Sequence, residues 1–206
     1  MTKNVKVITP VFRVSFPNVF QAKKNELSGK EEFSVVALFE IKNFSEDDKA
    51  KWKAINDKIK EMLLAKYGSL DKVPRKLEMP LKNGNEKFND NPEKYLMYKD
   101  TMYTTFRTKI KPIVVPASLQ GQLTDPKDFY AGCYARASVN ISAWDFYEGK
   151  SLIKTGVSMY LNNLQKIKDG ESFAGRSNPE DEFDAVETAA SSNENEVFDP
   201  MGGMGL

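Results

Sequence analysis

Apolar positions recur with two different periods along this chain, and the switches between them mark out its elements. From Val5 to Phe16 the residues are rich in Val, Ile and Phe and predict a strand interrupted at Pro10, because proline cannot donate to a ladder. Phe33 to Ile41 (FSVVALFEI) is nearly continuously apolar, as in a strand covered on both faces. The period then lengthens: Trp52, Ile55, Ile59, Met62 and Leu63 recur at helical spacing. Ser45 precedes them as an N-cap, Glu46, Asp47 and Asp48 fill a first turn, and Gly68 follows the last turn, so a helix is predicted over 46–67. Its apolar stripe reads as core and its lysines as a solvated face. Residues 69–100 hold Pro74, Pro80, Pro92 and the turn signal Asn83-Gly84, which predict a long irregular connection or a loop with a hairpin in it. Three further strands are predicted over Thr101 to Lys111, Ala131 to Ala143 and Thr155 to Lys168. A turn around Glu148-Gly149-Lys150 joins the last two into a hairpin. The fold class is mainly β with one prominent α-helix.

Alternation within two of these strands gives unusual outer faces. Over Thr101 to Lys111, Met102, Thr104, Phe106, Thr108 and Ile110 fall on one face, and Tyr103, Thr105, Arg107, Lys109 and Lys111 on the other. Over 133–141, Cys133, Ala135, Ala137, Val139 and Ile141 point inward, and Tyr134, Arg136, Ser138 and Asn140 outward. Trp144, Phe146 and Tyr147 cluster toward the hairpin tip, flanked by Lys150 and Lys154. Single-stranded nucleic acid suits such faces, because cations neutralise phosphates while flat rings stack on bases of any identity. Exposed antiparallel faces also carry Tyr and Arg for no reason beyond solvation.

Composition narrows the chemistry. The chain has 206 residues, one cysteine and no histidine, so an internal disulfide and a His-based triad lack their parts, as does a zinc site. No phosphate-cradling glycine loop of the GxGxxG or GxxxxGK[ST] type is present. No catalytic residue, metal or cofactor is assigned. No apolar run is long enough for a membrane span and Met1 to Ser15 does not read as a secretory signal, so a cytoplasmic protein is expected.

Charge is strongly segregated. Residues 1–176 hold all 30 basic and 21 of the 29 acidic residues, a net of +9, while residues 177–206 hold the other 8 acidic residues and no basic one. The last stretch has no hydrophobic periodicity and too little apolar surface to offset the entropy of ordering, so an acidic disordered tail is predicted there. Two domains follow: a globular one over 1–176 and the tail over 177–206. A basic body with an acidic tail suggests nucleic-acid contact, the tail competing with phosphates for the same cations.

The run from Phe129 to Phe173, with GKEEFSVVALF (Gly29 to Phe39) and RVSFPNVF (Arg13 to Phe20) before it, resembles the bacteriophage single-stranded DNA-binding proteins with an OB-fold and an acidic C-terminal tail. GCYARAS (Gly132 to Ser138) and LNNLQKIKDGE (Leu161 to Glu171) are its most specific pieces. The resemblance implies a five-stranded partly open barrel, no enzyme activity, and coating of single strands in phage DNA replication and recombination in the bacterial host cytoplasm. It further implies a tail that recruits replication proteins such as DNA polymerase or helicase/primase, with Glu194, Glu196, Phe198 and Asp199 as its contact group. The DNA-binding candidates are Tyr103, Arg107, Lys109, Lys111, Tyr134, Arg136, Trp144, Phe146, Tyr147, Lys150 and Lys154. The strong helix follows what looks like only the second strand, whereas the usual OB plan places it after the third; either residues 5–20 contain two strands or the helix is placed differently. Other readings stay open: a metal-dependent nuclease using Asp and Glu alone, or a protein-only interaction or virion module whose aromatics form an interface. A homo-oligomer is left open as well.

Overall fold

Pro10 breaks the first apolar run as expected, leaving β1 (Val5–Ile8) and β2 (Phe12–Lys24) on either side. The computed structural model describes residues 5–25 and 29–173. The acidic stretch, with Glu194, Glu196, Phe198 and Asp199, lies outside the described residues. After β2 come β3 (Glu31–Phe39), α1 (Glu46–Tyr67), β4 (Lys82–Asn83), α2 (Gly84–Asp90), β5 (Met102–Thr108), β6 (Ile113–Val115), β7 (Tyr134–Glu148) and β8 (Ser151–Lys168).

Five of these strands close on themselves: β2 pairs β3, β3 pairs β5, β5 pairs β8, β8 pairs β7, and β7 returns to β2. Two of the joins are short. β7 meets β2 at only two residue pairs and β5 meets β8 only at Arg107 and Tyr160. The result is a partly open barrel of the OB type, with β1 added beside β7 and β6 beside β8. Residues 5–20 therefore do contain two strands. Because β1 stands outside the ring, α1 still follows only the second barrel strand.

Phe12, Val14, Val35, Phe39, Phe106, Val139 and Leu161 fill the barrel, nearly all of them wholly buried. Ile55, Ile59, Met62 and Leu63 of α1 join this core, and Trp52 packs edge-on against Phe39 and Phe44 at 5.1 and 5.6 Å between centroids. α1 starts with a complete capping box: the Asp48 amide donates to the Ser45 hydroxyl, and the Ser45 amide donates to the Asp48 carboxylate. Asp48 also accepts from the Val11 amide at 2.8 Å, so the cap anchors the helix to the start of β2.

Three expectations change. The strand predicted over Thr101 to Lys111 stops at Thr108, whose hydroxyl accepts from the Ile110 amide at 3.2 Å. A side chain that bonds its own backbone two residues on offers it an alternative to the ladder. Ile110, expected inside, is 81% exposed. Asn83-Gly84 is not a hairpin turn: Asn83 has φ −75°, not the positive φ that such a turn needs, and its side chain accepts from the Asn85 amide at 3.0 Å to cap α2. Gly84 is buried against Tyr98 and Thr101, where a Cβ has no room. The last hairpin starts later than predicted, at Tyr134, but its strands run up to the turn at Gly149, β7 ending at Glu148 and β8 starting at Ser151.

Candidate nucleic-acid interface

Along β7, and along β5 as far as Arg107, the outer faces are as alternation predicted. On β5, Thr104 and Phe106 are buried while Tyr103 and Thr105 are half-buried and Arg107 exposed. Just before and along β7, Cys133, Ala135, Ala137, Val139 and Ile141 are buried, while Tyr134, Arg136, Ser138 and Asn140 are half-buried on the opposite face. Burial pushes the Cys133 thiol up.

Tyr103, Arg107 and Trp144 line one groove, together with Lys82 and Met79. A segment of the irregular connection builds its far wall. The Glu78 amide donates to the Thr155 carbonyl at 3.0 Å, the Val157 amide donates to the Glu78 carbonyl at 2.9 Å, and Lys82 pairs with Tyr103. Residues 78–83 thus strap the seam where β5 and β8 diverge. Trp144 sits half-buried below the strap, and Gly156 makes room for it. A Cβ there would lie 2.5 Å from the indole and 2.8 Å from the Glu78 carbonyl. Arg107, 47% exposed, is held at 2.7 Å by the less accessible Glu32, 17% exposed, whose carboxylate a phosphate can replace. Tyr103 has a fixed ring: Tyr98 lies edge-on at 5.1 Å and the Lys87 ammonium 5.2 Å from its centroid. Tyr98 itself is buried, and burial, with Tyr103 and Tyr95 nearby, pushes its hydroxyl up to about 12.

Tyr134 lies in a second groove with Arg13 and Lys168. The Arg13 guanidinium stands 5.3 Å from its ring centroid and the Lys168 ammonium 4.6 Å. Arg13 also donates to the carbonyls of Gly132 at 3.2 Å and Glu171 at 2.7 Å, and its guanidinium lies 4.4 Å from the Phe173 centroid. Cross-strand pairing joins the two grooves. Lys168, Tyr134, Arg13, Leu38, Tyr103 and Lys82 are successive register partners across β8, β7, β2, β3, β5 and β4, so the cations and rings of the two grooves share one cross-strand row, with the buried Leu38 between them.

Other candidates lie apart. Arg136 lines a third groove with Ile8 and Lys51, its Nε donating to Gln165 at 2.7 Å. Phe146 and Tyr147 are each 55% exposed on the hairpin beyond Trp144. Lys150 is exposed at the turn, and Lys154 is exposed 3.6 Å from Glu78. Lys109 and Lys111 are exposed in the connection between β5 and β6 rather than on a strand face. Sequence reasoning missed Arg13, Lys82 and Tyr160, the last paired with Arg107 and 45% exposed. Arg13 and Tyr160 were legible by alternation from Phe12 and Met159. Lys82 was not, since only the strap places it.

Over residues 5–197 the sequence matches the family described as the ssDNA-binding protein of Enterobacter phage Enc34. The chain belongs to this family. It is a family of binding proteins, not of enzymes. Protein p50 of Acyrthosiphon pisum secondary endosymbiont phage 1 is 27% identical over 166 residues, 79% of this chain and 83% of that one. The Enc34 single-stranded DNA-binding protein solved with ssDNA has a TM-score of 0.59 at 21% identity, covering 84% of this chain and 95% of its own. The single-stranded DNA-binding protein gp2.5 of bacteriophage T7 has a TM-score of 0.56 at 11% identity, covering 92% of this chain and 100% of its own. Both have the same fold as this chain.

Proposed function

We propose that this protein is a sequence-tolerant single-stranded DNA-binding protein that coats and protects single strands during phage DNA replication and recombination in the host cytoplasm. Residues 1–176 act as the binding domain. Residues 177–206 act as an acidic tail that recruits replication proteins such as a polymerase or helicase/primase through Glu194, Glu196, Phe198 and Asp199.

One observation carries the binding reading: Tyr103, Arg107 and Trp144, distant in sequence, converge on one groove on the outside of an OB-type barrel. The face formed by the second and third barrel strands, here β3 and β5, is where such barrels take oligonucleotides. Arg107 and Lys82 would neutralise phosphates while Tyr103 and Trp144 stack on bases. In a duplex both faces of each base are already stacked, so duplex is excluded from these contacts. The family, and a relative of the same fold solved with ssDNA, support the reading. For a nuclease the chain offers little, since among the described residues no three Asp, Glu or Cys side chains gather where a metal ion could sit.

Tryptophan fluorescence tests this directly. Trp52 is packed against Phe39 and Phe44, so quenching by an oligonucleotide reports Trp144. Single-stranded DNA should quench and bind more tightly than duplex of equal length, with a log-log salt slope of about −0.7 per phosphate neutralised. Equal affinity for duplex, or no salt dependence, would overturn the reading.

A further inference from the structure

Phe16 breaks two rules at once. It is a bulky non-glycine residue at φ 45°, directly before Pro17, where sterics disfavour helical-type backbone. It is also 52% exposed on a strand whose neighbours Phe12, Val14 and Val19 are wholly buried. Val14 points into the core, so regular alternation would have buried Phe16 as well.

A bulge produces both departures. Ser15 pairs with Val36 and the next pair is Asn18 with Ser34, so Phe16 and Pro17 are looped out of the β2–β3 ladder. The Asn18 side-chain Nδ2 donates to the Phe16 carbonyl at 3.4 Å and to the Ser34 hydroxyl at 3.5 Å. Phe20, four residues on, packs on the core; Phe16 is not among the described apolar side chains that do. The fold gains little from this ring and holds it in a costly backbone conformation. Residues kept in the left-handed region despite the strain cluster at ligand sites.

The position is informative. The bulge stands between two cross-strand rows, Ser15–Val36–Thr105, whose Ser15 is buried, and Asn18–Ser34–Arg107–Tyr160, which reaches the surface at Arg107 and Tyr160. Along the second row the cation of Arg107 neighbours the exposed ring of Tyr160. The side of the row away from Tyr160 ends at the bulge that carries Phe16. A strand of nucleic acid held by phosphates at Arg107 would then meet an aromatic ring on either side.

We infer that Phe16 is a base-stacking residue, held out of the barrel by the strained bulge on β2 so that its ring receives an unpaired nucleobase at the end of the cross-strand row that carries Arg107. The inference rests on the single-strand-binding reading above and extends its site to β2, which contributes no residue to the lining of the Tyr103, Arg107 and Trp144 groove.

The test separates a stacking ring from a structural one. In the full-length protein, Phe16→Ala and Phe16→Leu should weaken ssDNA binding roughly 5- to 150-fold, since losing one stacked base costs about 1 to 3 kcal/mol. Phe16→Trp should bind like wild type and add fluorescence quenching beyond that of Trp144. Phe16→Gly should weaken binding as alanine does yet melt no lower than wild type, because glycine adopts this φ without strain. Phe16→Leu binding like wild type would overturn the inference, as would Phe16→Gly melting well below wild type. Wild type that fails to bind ssDNA at all would overturn the functional reading instead.

Discussion

Arg107 and Asp48 show how much a single side chain can be read from its partners. Arg107 is half-exposed, but its partner Glu32 is only 17% exposed, so removing it should cost on the order of 1 kcal/mol of stability. As a phosphate contact its loss should weaken binding uniformly across base sequences. In Arg107→Ala the salt slope should become shallower by about 0.7, measured by titration at several salt concentrations. An unchanged slope would remove Arg107 from the interface. Asp48 carries structure instead. Burial pushes its carboxyl up, but the hydrogen bonds from Ser45 and Val11 and the charge of Lys51 outweigh that, leaving it below the usual carboxylate range. A carboxylate depressed in the folded state contributes stability that is whole above its unfolded value, about 3.9, and is lost as pH falls through its folded value. Asp48→Ala should therefore cost about 1 to 2 kcal/mol at neutral pH by denaturant unfolding. Its deficit against wild type should shrink in acid, below both values.

Two joins between elements hold the interface. Gly156 lets the strap and the indole of Trp144 close over β8. Gly156→Val should displace both, lowering ssDNA affinity and quenching together, while the Lys66–Asp145 pair at 2.6 Å still ties α1 to β7. Normal binding by this variant would mean that the strap is dispensable. The second join unites the two most specific sequence pieces: Gly132, at φ 113°, abuts the Glu171 backbone, and Arg13 bonds to both. Gly132→Ala meets both a strained backbone and an occupied space. Its melting temperature should fall by at least several degrees, a cost above about 1 kcal/mol. That GCYARAS and LNNLQKIKDGE form one clasp was not legible in the sequence, because nothing local links residues 132 and 171.

At the scale of the molecule the dominant feature is charge, +9 over residues 1–176 against 8 acidic residues and no basic one beyond them. A tethered polyanion competes with DNA phosphates for cations at an effective concentration set by its linker. Deleting residues 177–206 should strengthen ssDNA binding most in dilute buffer. The gain should shrink toward ~0.15 M salt, where the Debye length is about 8 Å. Paired titrations of full-length and truncated protein across a salt series measure this. Equal affinities at low salt would leave the tail as a solubilising terminus.

Features that depend on near neighbours in the chain are legible from the residues alone. Pro10 set the first break, Ser45 and Gly68 bounded α1, and alternation sorted Tyr103 from Phe106 and Tyr134 from Ala135, because caps and pleats act over four residues or fewer. Sequence also ended β5 ambiguously, since Ile110 continues the apolar alternation that the Thr108 hydroxyl cuts short. Tertiary structure alone decided which outward residues share a groove. Tyr103, Arg107 and Trp144 meet because β5 and β7 both border β8, while Tyr134 and Arg136, two residues apart on one strand, fall in different grooves as β2 gives way to β1 beside them. It alone turned Asn83-Gly84 into a helix start and laid residues 78–83 over the barrel seam, where Lys82 comes into register with Tyr103. Such outcomes depend on pairing between residues tens of positions apart, and no local periodicity encodes that register.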